Sequence, residues 1–323
     1  MSNQQIQKVK VKRLAHVGLW TNDIQAQARF YHRVLGLDLY THAEGSLEQH
    51  LEEEESTLFL SLNEEMHCLS IFNDTRTQPT NSRHSTTPQS PLHHLSFVVD
   101  TDAELAAMAV RLQMSGVELA FEPRDGAPDL GDSLWLTDPD GNRVEIAVAP
   151  DELYTANTSN RKTRRSLQRP YALQHVSLRT RNLEAMVEFY TESLGFDISD
   201  WLLRERAWLR CNSDHHSLVL IEGPTGIENI GFTIADGNEL LLWADYLSHQ
   251  QIRILWGPGR HGVGDDLFLH FPDNDGIHIE LSAGLRQYFD RDVTTPPRLW
   301  HTRETALNLW GAVPSWLREE ARS

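Results

Sequence analysis

The sequence predicts an α+β fold built from one repeated unit, a strand followed by a helix and then further strands. Three observations predict it. The stretch Leu14-Ala-His16-Val-Gly-Leu-Trp20 reads as a short buried strand carrying one imidazole, and it returns as Leu173-Gln-His175-Val-Ser-Leu-Arg179. Aligning 14–39 with 173–198 without gaps gives 11 identities in 26 positions, among them His16/His175, Phe30/Phe189, Tyr31/Tyr190 and Gly36/Gly195. Within each half, helical spacing of apolar residues alternates with short strand-like runs.

Taken in order, Arg13 to Trp20 is the first strand. Asn22 or Asp23 can cap a helix whose apolar side is Ile24, Ala28, Tyr31 and Leu35, and Gly36 ends it as a left-handed cap residue would. Strands follow at Leu37–His42, Thr57–Leu62 and Cys68–Phe72, and the Thr-, Ser-, Pro- and Asn-rich strip 73–91 is a loop. The pattern restarts with a strand at Leu92–Val99 and an amphipathic helix at Thr101–Ser115. Strands at Leu134–Thr137 and Asn142–Ala147 are joined by the tight turn Asp138-Pro-Asp-Gly141. The same order repeats after a linker at 151–170. Asp140-Gly141…Glu145 then matches Asp275-Gly276…Glu280, and Met66-His67 matches His215-His216. Expected domains are therefore 1–150 and 171–284, with a tail at 285–323 that packs back on the second half.

At 323 residues the chain can form two ordinary domains, and 40% hydrophobic with 23% charged residues is normal for a soluble globular protein. A net charge of −17 argues against nucleic acid as a partner, the basic run Asn160–Arg165 notwithstanding. No apolar run approaches the roughly 20 residues that span a bilayer, and the N-terminus lacks the apolar core of a secretory signal. Cys68 and Cys211 lie too far apart in sequence to suggest a disulfide framework or zinc cluster, so the expected location is cytoplasmic.

Three ligand-type side chains sit at corresponding strand positions of the first half: His16, His94 and Glu145. Taken singly, each histidine is more readily a hydrogen-bonded core residue and Glu145 an edge-strand surface group. Together, two imidazoles and a carboxylate suit a divalent first-row metal and leave coordination positions open. The second-half equivalents are His175, Asn229 and Glu280, and Asn229 is a weak neutral ligand, so the metal is expected in the first half. If the middle two units paired instead, His175 would replace His16. His67, aligned with His216, should point into the first cleft as an acid–base group. His93 should face the other side of its strand, and Trp135, aligned with His270, should be an aromatic wall.

The stretch Gly257-Pro-Gly-Arg-His-Gly262…Phe268…Asp273-Asn-Asp-Gly-Ile-His-Ile-Glu280 and the tail Pro296-Pro-Arg-Leu-Trp300…Trp316 resemble the vicinal oxygen chelate superfamily. More narrowly, they resemble two-domain type I extradiol dioxygenases of the homoprotocatechuate and catechol 2,3-dioxygenase branch. The resemblance implies four βαβββ modules paired into two domains with open, mixed-sheet clefts. It implies Fe(II), with Mn(II) or Zn(II) as alternatives, a catecholic aromatic substrate, O2, and self-association. It also implies that the metal normally lies in the second domain, at the positions of His175, Asn229 and Glu280. Acid–base roles would fall on His216 and His261, with a tyrosine where this chain has His270. The rivals to ring cleavage are a glyoxalase-like isomerase or hydrolase, and a non-catalytic protein that holds an aromatic ligand.

Overall fold

A computed structural model describes residues 9–40, 51, 56–62, 66–76, 90–126, 131–149, 169–289 and 295–317. The first half runs β1 (Arg13–Thr21), α1 (Ile24–Leu35), β2 (Asp38–Leu39), β3 (Thr57–Ser61), β4 (His67–Asn73), β5 (Leu92–Val99), α2 (Asp102–Met114), β6 (Ala120–Pro123), β7 (Asp132–Thr137) and β8 (Arg143–Val148). These strands form one mixed sheet in the order β2-β3-β4-β1-β5-β8-β7-β6. At its centre β1 and β5 are antiparallel, and each has a parallel neighbour on its outer side, β4 and β8.

The second half repeats the plan with β9 (Ala172–Thr180), α3 (Leu183–Glu188), β10 (Asp197–Leu202), β11 (Arg206–Arg210), β12 (Leu218–Glu222), β13 (Gly226–Thr233), α4 (Gly237–His249), β14 (Trp256–Arg260), β15 (Leu267–Pro272) and β16 (His278–Ala283). Helix α3 runs on through a π-helical turn, Phe189–Ser193. The tail adds β17 (Arg298–Trp300), parallel to β10 at the sheet edge, and helix α5 (Arg303–Leu307). The order β14-β15-β16-β13-β9-β12-β11-β10-β17 pairs the third unit with the fourth. The alternative in which His175 replaces His16 is thereby excluded.

Local chemistry explains the helices. Asp23 rather than Asn22 caps α1, its carboxylate accepting from the Ala26 N–H at 2.9 Å, and Gly36 closes the helix at φ 68°. Thr101 caps α2 by accepting from the Glu104 N–H, while Glu104 reaches back to the Asp100 N–H. Strand β6 escapes sequence reading because it is half-buried to exposed and presents no apolar run. The strand expected at Leu37–His42 is only Asp38–Leu39 among the described residues, and most of the 41–56 and 73–91 loops and of the linker lies outside them.

One continuous apolar core joins the two halves. It includes Leu19, Tyr31 and Leu35 from the first half and Leu178, Tyr190 and Trp243 from the second. Two buried polar contacts cross it reciprocally. Tyr31 of α1 donates its hydroxyl to Asp273, in the β15–β16 turn, at 2.8 Å. Tyr190, after α3, donates to Asp138, in the β7–β8 turn, at 3.1 Å. A separate cluster packs Ala306, Leu307, Val313 and Leu317 of the tail onto Trp208, Val219 and Ile221 of the second sheet.

Candidate metal centre

The ligand-type residues of the first half converge because strand periodicity and register leave them no other place. In β1, β5 and β8, His16, His94 and Glu145 share one face of the sheet. Register sets His16 opposite Ser96, His94 opposite Gly18, and Ser96 opposite Glu145. The Gly18 position must be bare: a Cβ there would lie 2.2 Å from His94 Nδ1. All three ligand-type residues have no exposed surface.

A fourth side chain, unforeseen from sequence, completes the group: Asp125 lies within the same cluster as His16, His94 and Glu145. His16 Nε2 is 2.8 Å from His94 Nε2 and 2.9 Å from Asp125 Oδ1, and His94 Nε2 is 2.7 Å from the same oxygen. Glu145 Oε2 stands 3.4 Å from His16 Nε2. Donors bound at right angles with bonds of about 2.1 Å lie about 3 Å apart. Three mutual separations of 2.7–2.9 Å therefore match one face of a coordination shell and suit a divalent first-row cation. Without a cation, two imidazole nitrogens point at one another and at one carboxylate oxygen, which hydrogens alone satisfy poorly.

Asp125 adopts φ 51°, ψ 17°, a left-handed conformation that costs a non-glycine residue on the order of 1 kcal/mol. That backbone turns its carboxylate inward from the short helical turn Arg124–Gly126. A signal for it existed. Arg124-Asp-Gly126 corresponds to Arg260-His-Gly262, so Asp125 stands where the second half has His261.

His67 does reach the cluster, with Nε2 2.6 Å from Asp125 Oδ2 and its ring 4.3 Å from that of His16. Glu145 is held from both sides, accepting from Ser96 Oγ at 2.5 Å and Ser133 Oγ at 2.7 Å. Trp135 packs against His94, ring centroids 5.1 Å apart, as an aromatic wall. His93 departs from expectation. An irregularity in the β1–β5 pairing between Gly18 and Leu19 breaks the alternation, and His93 Nδ1 lies 2.6 Å from His94 Nδ1. Its ring stacks on Phe72 at 3.9 Å, so it can fix the His94 tautomer from behind. His16 Nδ1, by contrast, has no partner among the described residues.

Burial lowers the His16 pKa to about 4 against the pull of Asp125, leaving a neutral imidazole with a lone pair to offer. Burial alone would raise Asp125 and Glu145. For Asp125 the neighbouring imidazoles of His16 and His94, with hydrogen bonds from His16 and His67, outweigh it and hold the carboxyl well below the usual range. Glu145 is likewise lowered, chiefly by His16. The site thus combines a neutral nitrogen donor at His16 with ionised carboxylates, protonation states that suit a cation.

Known proteins resemble this chain along most of its length. Residues 13–146 and 172–281 match the Glyoxalase/Bleomycin resistance protein/Dioxygenase superfamily. Metapyrocatechase 2 of Cupriavidus necator is 28% identical over 246 residues, covering 70% of this chain and 74% of that protein. The iron-dependent extradiol dioxygenase of Rhodococcus jostii (strain RHA1) is 28% identical over 232 residues, covering 65% and 73%. The crystal structure of the Mn(II)-bound glyoxalase from Novosphingobium aromaticivorans superposes with a TM-score of 0.76 at 23% identity, covering 94% of this chain and 91% of that one, a likeness of fold.

Proposed function

The chain belongs to the glyoxalase/bleomycin resistance protein/dioxygenase superfamily, and from that membership we propose an extradiol ring-cleaving dioxygenase acting on a catecholic substrate with its metal in the first half. The observation that carries the proposal is the convergence of His16, His94, Asp125 and Glu145 at metal-ligand distances. The ion is Fe(II), in keeping with the iron-dependent relative. His16, His94 and Glu145 hold it, and when bound it supplies Lewis acidity and a common meeting point for diol and O2.

The protein's own groups then manage protons and orientation. His67, its Nε2 held 2.6 Å from Asp125 Oδ2, is the acid–base group that accepts the diol proton and returns it to the product, with Asp125 orienting its ring. Ser96 and Ser133 fix the Glu145 carboxylate in one orientation. Trp135 and Phe59 line the site with apolar surface, Phe59 lying 5.1 Å from the His67 ring. That surface suits an aromatic ring and keeps bulk water away.

Asp125 also favours a second reading. If it is a permanent fourth ligand, a six-coordinate ion keeps two free positions, enough for a chelating substrate but none for O2. Non-oxidative chemistry, isomerisation or hydrolysis, would follow. Oxygen uptake separates the two. Protein refilled anaerobically with Fe(II) should consume O2 with a simple catechol, and His94→Ala should abolish both metal binding at this centre and turnover. Stoichiometric zinc in the isolated protein with no O2 uptake on any catechol would favour the non-oxidative reading.

A further inference from the structure

The second cleft carries a set of ligands of its own. Among the described residues a second group of metal-ligating side chains converges there: His261, His270 and Glu280, all buried, with donor atoms within 4.8 Å of one another. We propose that these three hold a second divalent first-row cation, facing the cleft lined by Trp208, Trp256 and Trp316. Of the positions that the family resemblance marks as metal ligands, only Glu280 takes part.

Glu280 divides its two oxygens between the histidines. His261 Nε2 lies 3.5 Å from Oε1 and His270 Nε2 3.4 Å from Oε2. Neither separation is a hydrogen bond, yet both are lengths a shared cation would set. His270 Nε2 is buried and has no hydrogen-bond partner, although the residue is only 6% exposed. A buried nitrogen left without a partner is destabilising, and a bound cation would remove that cost. His261 is set up from behind. Its Nδ1 lies 2.6 Å from the Leu307 carbonyl, which can only accept, so Nδ1 carries the hydrogen and Nε2 offers its lone pair. Its ring stacks on Phe268 at 3.7 Å and is held in that orientation.

Asn229 stands at the position equivalent to a family ligand, where a neutral amide replaces an imidazole. It donates its amide N–H to Glu280 Oε2 at 2.8 Å, while His175 Nε2 lies 3.3 Å from the same oxygen but outside the converging set. The loss at Asn229 is made good two strands over by His270, directly opposite Glu280 in the β15–β16 register. In the first half the matching place is occupied by Trp135, opposite Glu145, so the substitution belongs to this cleft alone.

Co(II) titration of the metal-stripped full chain, read by visible absorption and by metal per chain, tests this. Wild type should bind two equivalents and His94→Ala one. In the His94→Ala background, His261→Ala or His270→Ala should remove the remaining equivalent, while His175→Ala should keep it. His270→Gln preserves volume and should give the same loss if the alanine variant does not fold. The proposal is overturned if folded His94→Ala binds no Co(II), or if the ion survives loss of His270 but not of His175. Loss of the first site alone would instead count against the proposed function, since the two ligand sets share no residue.

Discussion

Asp125 uses both carboxylate oxygens, Oδ1 towards His16, His94 and Ser70 and Oδ2 towards His67. Asp125→Asn keeps its shape and removes its charge. If the carboxylate orients His67 for proton transfer, metal content should persist while kcat falls about 10²–10⁴-fold. Loss of the metal instead would make Asp125 a ligand and support the non-oxidative reading. His16, His94 and Glu145 were legible in the sequence because duplication supplied an internal reference for each. Asp125 was not, because Arg-Asp-Gly reads as an ordinary turn. Only the positive φ at that residue turns the carboxylate inward, and no periodicity reports a backbone sign.

At the scale of elements, the β1–β5 pair is the working part, since each strand supplies an imidazole and the room for its partner's. Gly18→Ala should force the His94 ring aside, at the 1–3 kcal/mol typical of overpacking. Metal affinity at the first centre should therefore weaken about tenfold or more, with the circular dichroism spectrum unchanged. Gly231→Ala is the matched control. Its Cβ would meet the His175 ring at 2.1 Å, and it should leave the first centre's affinity as it was. The repeated strand–helix–strand unit followed from the duplication and the apolar patterning; the order of strands within each sheet did not. The irregularity that brings His93 onto His94 did not, because alternation by two is the very rule it breaks. Strand β6 was hidden for a different reason, carrying too little buried surface to leave a pattern.

The whole molecule is tied together at the two Tyr–Asp contacts, and these titrate. Burial raises the Asp273 pKa to about 6, partly relieved by hydrogen bonds from Tyr31 and the Ile277 N–H. A raised carboxyl pKa means the folded state binds its proton more tightly. Below about pH 4 both states are protonated and the group costs nothing. As pH climbs to about 6 the penalty grows, to a ceiling of about 3 kcal/mol. Asp273→Asn removes it, so the variant's stability relative to wild type, from denaturant midpoints, should rise between pH 4 and 7. A flat difference would show that Asp273 ionises freely. Asp138 is shifted in the same direction by its burial. The reciprocity of these contacts has an evolutionary consequence. Each half presents both a tyrosine and the aspartate that the other half's tyrosine needs, as the two faces of an isologous dimer do. The chain is thus organised as a fused homodimer, and a half-length ancestor could have assembled with itself before fusion freed its two clefts to diverge.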